Sequence, residues 1–256
     1  MTNAIIVAFM LVMGLAVGSF LNVCIYRLPI RKSVMFPASH CPICNRSLTW
    51  FENIPLVSWL VLGGRCRTCR TPIPIQYPLV EAITGVVFVS GYLIYGWTPL
   101  LAVRLLFACA MIVLFAIDLE HQILPNVITL PGVVIGFLCS LFLPPGWLSS
   151  LIGLLLGGGV LFAIGEAFIR IRGYEGLGMG DVKMLAMIGA FLGWPLMLVT
   201  LVLASFAGSV VGVGLLTSGR GDMQAKLPFG TFLAVGALVS AVVGNQFLAW
   251  YLTFYQ

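Results

Sequence analysis

Long apolar runs alternate with short polar breaks along most of this chain. The runs fall near 4–25, 79–96, 99–117, 126–143, 148–169, 182–194, 195–217 and 229–254. A helix needs about 20 mostly apolar residues to cross a bilayer, and several runs reach that length. The pattern predicts an all-α polytopic membrane protein with about eight transmembrane helices. One boundary lies at Gly193-Trp194-Pro195, where proline ends or kinks a helix. The polar exception is 27–78, the stretch long enough to be a small soluble insertion after the first helix. The expected organisation is a first transmembrane helix at 1–26, a loop domain at 27–78 and a helical core at 79–256.

Composition makes lipid the main solvent. The chain is 61% hydrophobic and 8% charged, whereas soluble domains carry about 25% charged residues. The net charge of +5 therefore implies no nucleic-acid partner, because in a membrane protein basic residues mainly set topology. Arg27, Arg31 and Lys32 follow the first run, and no basic residue precedes it. A cleavable signal peptide has the opposite charge order, so the first run reads as a retained helix with its N-terminus outside. Eight spans then put 27–78, 118–125, 170–183 and 218–228 in the cytoplasm. Every Lys and Arg except Arg104 falls on that side. Treating 182–217 as one span would move Arg220 and Lys226 outside, so charge favours eight spans over seven.

Cys41-Pro-Ile-Cys44 and Cys66-Arg-Thr-Cys69 are two C-x2-C pairs separated by 21 residues. Two such knuckles can supply four tetrahedral thiolates to a structural zinc. Two disulfides or a redox pair are the other readings, and a reducing cytoplasm disfavours them. Cys24, Cys109 and Cys139 lie in apolar runs and read as packing residues.

Asp118 closes the third apolar run, and Asp181 follows Gly178-Met179-Gly180 at the start of another. Each acid has a plain reading, as a residue ending a helix at the interface or as an N-cap. Ionisable groups at membrane depth are costly and usually functional. The topology puts both acids at one depth on one side. Such a pair can activate water and protonate a leaving amine, sharing one proton. Asp118 ends one helix and Asp181 opens another, so the macrodipoles favour the proton on Asp118 and the charge on Asp181. Lys183 can support Asp181 or anchor topology. Asn126 suits a helix N-cap, and Asn22 suits a hydrogen bond across helices or a ligand contact. Glu120 and Glu175 read as solvated loop charge. A proton- or cation-coupled transporter and a non-catalytic membrane scaffold are the alternatives from other classes.

The chain resembles the bacterial type IV prepilin peptidase family, membrane aspartic proteases of the GxGD type. The likeness runs through Gly18-Ser-Phe-Leu-Asn-Val-Cys-Ile-Tyr-Arg-Leu-Pro29, the four cysteines and Tyr77-Pro-Leu-Val-Glu-Ala-Ile-Thr-Gly85. It continues through Asp118-Leu-Glu-His-Gln-Ile-Leu-Pro125, Gly178-Met-Gly-Asp-Val-Lys183 and Pro228-Phe-Gly230. The resemblance implies cleavage of the basic leader of prepilins or pseudopilins after a glycine, at the cytoplasmic face of the inner membrane. Asp118 and Asp181 would be the catalytic pair. It also implies N-methylation of the new terminus from S-adenosylmethionine, with Glu81 and Gly85 matching the stretch tied to that activity. A buried acid with a structural partner and a packed small residue are the other readings of those two. Gln76, Asn126 and Thr231 depart from the family pattern, which commonly has arginine, aspartate and proline there.

Overall fold

The computed structural model describes residues 2–173, 178–218 and 227–255. Glu175, Arg220 and Lys226, used above for charge and topology, lie outside the described residues. Helices account for the elements named here: α1 (Thr2–Arg27), α2 (Val57–Val61), α3 (Gln76–Tyr95), α4 (Pro99–His121), α5 (Asn126–Ser140), α6 (Trp147–Arg172), α7 (Met179–Thr217) and α8 (Phe229–Leu252). No strand occurs among the described residues, only two isolated β-bridges, both in the loop between α1 and α3. Six helices are long and apolar enough to cross a membrane, and α5 is a shorter apolar helix. The protein is a multi-pass membrane protein.

The expected boundary near Pro195 is a break inside α7. Gly193 has φ 78° and ψ 169°, outside the helical region. Only glycine adopts this conformation cheaply, and a Cβ there would also meet Pro145 at 2.9 Å. Pro195 has no N–H to continue the ladder. Beside the break, the buried Ser150 hydroxyl donates to the Ala190 carbonyl at 2.7 Å. With α7 divided at Gly193, the apolar segments match the eight runs of the sequence.

The chain forms two compact units, Met1–Val113 and Leu114–Gln256, with the boundary inside α4. In the first unit α1 packs on α3 through Gly14 and Gly18. A Cβ on Gly18 would lie 2.7 Å from the Glu81 Cα, and one on Gly14 would lie 2.8 Å from the Gly85 Cα. The i, i+4 glycines let the two backbones close up as small residues do between membrane helices. Met10, Phe88, Leu101 and Leu105 fill the space beside them.

In the second unit α7 is the central helix, and most of its first half is buried. Helix α6 presses on it so closely that a Cβ on Gly189 would strike the Gly153 carbonyl. Helix α8 packs on the second half, where Gly236 sits against the Thr200 carbonyl at a would-be Cβ distance of 3.0 Å. Phe191 and Met187 of α7 fill the notches left by Gly136 and Gly132 of α5. This packing fixes α7, whose first turn carries Asp181.

Candidate active site

Asp118 sits in the last turn of α4, where its carbonyl accepts the Gln122 N–H at 2.9 Å. Its side chain is buried, the residue being 4% exposed. Asp181 is the third residue of α7, whose N-cap is Gly178. The helix starts earlier than an N-cap role for Asp181 requires, and the Asp181 N–H donates to the Gly178 carbonyl at 3.0 Å. Asp118 and Asp181, far apart in sequence, line one cavity of about 190 Å³ with Gln122, Leu124, Asn126 and Lys183. The pairing expected from topology is therefore present within one unit.

The glycines of Gly178-Met179-Gly180 are needed for room. Gly178 has φ −75° and ψ 136°, open to any residue. A Cβ there would stand 3.2 Å from Asp181 Oδ2, however, and one on Gly180 would stand 3.0 Å from the Leu124 Cβ. A larger residue at either position would press on the acid or on the wall of the cavity.

Two partners at this site were not assigned from sequence. Lys183 Nζ donates to Asn126 Oδ1 at 2.9 Å, so Lys183 is tied to α5. Asn126 is the first residue of that helix, which has Pro125 as N-cap and no side-chain capping bond. The second partner is Thr231, in the first turn of α8. Its N–H donates to Asp118 Oδ2 at 2.7 Å and its hydroxyl to the same oxygen at 3.1 Å. Asp118 thus meets the N-terminus of α8 as well as the C-terminus of α4, two opposed helix ends, so the macrodipoles alone do not place the proton on Asp118 as expected from sequence. The spacing of 113 positions hides this contact from any local pattern.

The four cysteines form the second candidate centre, in the first unit. Both knuckles have one design. The Cys41 N–H donates to the Arg46 carbonyl at 3.0 Å, and the Cys66 N–H to the Thr71 carbonyl at 2.9 Å. Bridges His40–Ser47 and Arg65–Pro72 repeat at the same offsets. The fourth residue after the first cysteine is left-handed in both, Asn45 at φ 54° and Arg70 at φ 60°. The four sulfurs lie within 4.8 Å of one another, with Cys41 and Cys69 3.7 Å apart. Tetrahedral ligands about 2.3 Å from zinc stand roughly 3.8 Å apart, so the donor set fits. The Thr71 hydroxyl and N–H hold the Cys69 thiol down to about 6. The Arg46 N–H lowers the Cys44 thiol, but burial and the neighbouring sulfurs outweigh it and push that thiol up to about 11. Four sulfurs this close become thiolates together only around a cation.

Beside the knuckles lies a cavity of about 230 Å³, lined from α1, the loop and α3 by Asn22, Arg27, Trp59, Tyr77 and Glu81 among others. Glu81 is 7% exposed, and its Oε2 accepts the Leu56 N–H at 2.8 Å. Leu56 is held at φ 60°, a costly conformation for a branched residue. No cation pairs with Glu81 among the described residues. Arg27, also buried, donates to the Ser33 and Pro37 carbonyls at 3.0 and 2.8 Å. Asn22 donates to the Tyr77 carbonyl at 3.0 Å, a bond across helices, and also lines the cavity, so both of its sequence readings stay in play. Gly85 does not line this cavity. A Cβ there would meet the Leu11 and Leu15 side chains at 3.1 Å, so it is a packing residue between α1 and α3.

Comparison with known proteins gives two family matches, in chain order. The Bacterial Peptidase A24 N-terminal domain matches residues 12–95, and the Type IV leader peptidase family matches residues 105–213. A protein of Aeromonas hydrophila named prepilin leader peptidase/N-methyltransferase is 38% identical, over 94% of this chain and 91% of its own. A protein of the same name from Stutzerimonas stutzeri is 35% identical over 95% and 93%. Another from Myxococcus xanthus is 43% identical over 83% of this chain and 64% of its own. No solved structure matches the chain.

Proposed function

This chain belongs to the type IV leader peptidase family, and from that premise we propose that it cuts the basic leader from type IV prepilins or pseudopilins after a glycine and then N-methylates the exposed terminus. The observation that carries the peptidase reading is the shared cavity of Asp118 and Asp181.

The cleavage divides between the two acids. One carboxylate takes a proton from water as the water oxygen bonds to the scissile carbonyl carbon. The other, protonated, gives its proton to the departing amine as the C–N bond breaks. Gly178 and Gly180 keep the space beside them open, and Lys183, tied to Asn126, lines the rim. The acids lie on the cytoplasmic side with the tetracysteine loop, and the N-terminus lies outside. That orientation follows from the distribution of Lys and Arg. It also puts the acids where a basic leader remains as the pilin's apolar helix enters the bilayer of the inner membrane.

Cys41, Cys44, Cys66 and Cys69 hold a structural zinc that locks the two knuckles together. Methyl transfer belongs to the cavity beside them. S-adenosylmethionine supplies the methyl group. Glu81 offers a buried carboxylate there to an incoming amine and can hold the proton which that amine loses. Trp59 and Tyr77 offer aromatic faces of the kind that favour cationic ligands. Gly85 acts by letting α1 and α3 meet.

The test is intact-mass spectrometry of a prepilin incubated with the purified protein and S-adenosylmethionine. The wild type is expected to remove the leader and add one methyl group. Asp118→Ala and Asp181→Ala are each expected to lower cleavage by at least about 10²-fold. Cleavage that survives either substitution would remove the dyad from the reading.

A further inference from the structure

Of the two acids, Asp118 is buried and Asp181 is half-buried. We infer that Thr231 is a positioning residue for the cleavage reaction, fixing the Asp118 carboxylate by two hydrogen bonds to one oxygen. This rests on the peptidase reading of Asp118.

The contact is built from both sides. Thr231 is 6% exposed and Asp118 is 4% exposed. Thr231 is the third residue of α8, which has Pro228 as N-cap and no side-chain capping bond. First-turn N–H groups have no acceptor within their own helix. Here the acceptor is Asp118 Oδ2, 2.7 Å from the Thr231 nitrogen, so a side chain from α4 caps α8. The Thr231 hydroxyl adds a second donor at 3.1 Å. Gly230 permits the approach. A Cβ there would lie 3.0 Å from the same oxygen and 2.9 Å from Leu124 Cδ1.

Each carboxylate oxygen accepts about two hydrogen bonds. Thr231 occupies both sites of Oδ2, so the carboxylate cannot turn about its axis, and Oδ1 remains for water and substrate. Held donors of this kind need no rearrangement during the reaction.

The experiment uses the full-length protein in lipid and follows the initial rates of prepilin cleavage. Thr231→Val keeps the N–H and the shape but removes the hydroxyl. Thr231→Ser keeps both donors. A charge-assisted hydrogen bond is worth about 10- to 100-fold. Thr231→Val is therefore expected to lower kcat by about that factor, with KM within about twofold of wild type and thermal unfolding unchanged. Thr231→Ser is expected to restore kcat to within about threefold of wild type. A valine variant with wild-type kcat would overturn the inference. So would a fall in kcat matched by a fall in thermal stability that serine does not rescue. Asp118→Asn and Asp181→Asn run in parallel. If they retain cleavage, the peptidase reading itself fails; if they abolish it while Thr231→Val is unaffected, only the positioning role fails.

Discussion

Cys41, Cys44, Cys66 and Cys69 converge in the first unit because each pair lies in one short knuckle and the knuckle is repeated. Asp118, Asp181 and Thr231 come together in the second from three separate helices: Thr231 of α8 bonds Asp118 of α4, and Asp118 shares one cavity with Asp181 of α7. The first arrangement is local, polar and suited to a metal. The second is non-local and made of backbone approaches that only small residues allow. The two centres should therefore fail for different reasons, and each can be broken while the other is watched.

The largest separation is expected from the metal. Cys66→Ser, or a strong chelator, should remove essentially all bound zinc and unfold the loop backbone around the already exposed Arg65, Arg67 and Arg70, so that trypsin cuts there. A structural zinc supplies most of the folding free energy of a segment this small. Hydrogen exchange in 179–192 should not change. Zinc content by emission spectrometry, with peptide mapping, checks this. Equal loss of protection in both units would end the comparison.

The converse break is at Gly189. Alanine there must push the α6 and α7 backbones apart at the Gly153 carbonyl. Overpacking of this kind costs about 1–3 kcal/mol. Cleavage and thermal stability of the variant should fall, while its zinc content stays at the wild-type level.

A smaller effect is expected at Glu52. The Thr49 hydroxyl and N–H, with Arg46, hold its carboxyl down to about 2 from an ordinary 4.5. An acid depressed on folding contributes stability above its unfolded pKa and loses it as pH falls through the folded value. The gap in loop protection between wild type and Glu52→Gln should thus be widest above about pH 4.5 and close toward pH 2. A gap independent of pH would assign Glu52 a packing role instead.

Legibility followed the same division. The knuckles were readable because spacing, residue type and turn all lie within a few positions. The apolar runs were readable because twenty residues of hydrocarbon character leave little choice but a membrane helix. The break at Gly193 was readable as a boundary, since glycine and proline together disturb a helix. Asp118 and Asp181 stood out as acids at the ends of apolar segments. Their partners did not. Asn126 looked like an N-cap because amides often are one, yet its oxygen serves Lys183. Thr231 showed only as an unusual residue after Pro228-Phe-Gly230. Its two bonds to Asp118 depend on how α8 packs, and no periodicity records that. The Glu81–Leu56 bond was hidden for a similar reason, since Leu56 offers its N–H from a left-handed turn that no glycine or asparagine announces.

Cleavage is proposed to belong to the dyad in 114–256 and methyl transfer to the cavity in 1–113. The most direct measurement gives Asp118→Ala a pilin whose leader is already removed, with S-adenosylmethionine, and gives Glu81→Gln an intact prepilin. Intact mass should show methylation without cleavage ability in the first variant, and a cleaved, unmethylated pilin in the second. Loss of both activities in either correctly folded variant would contradict the division.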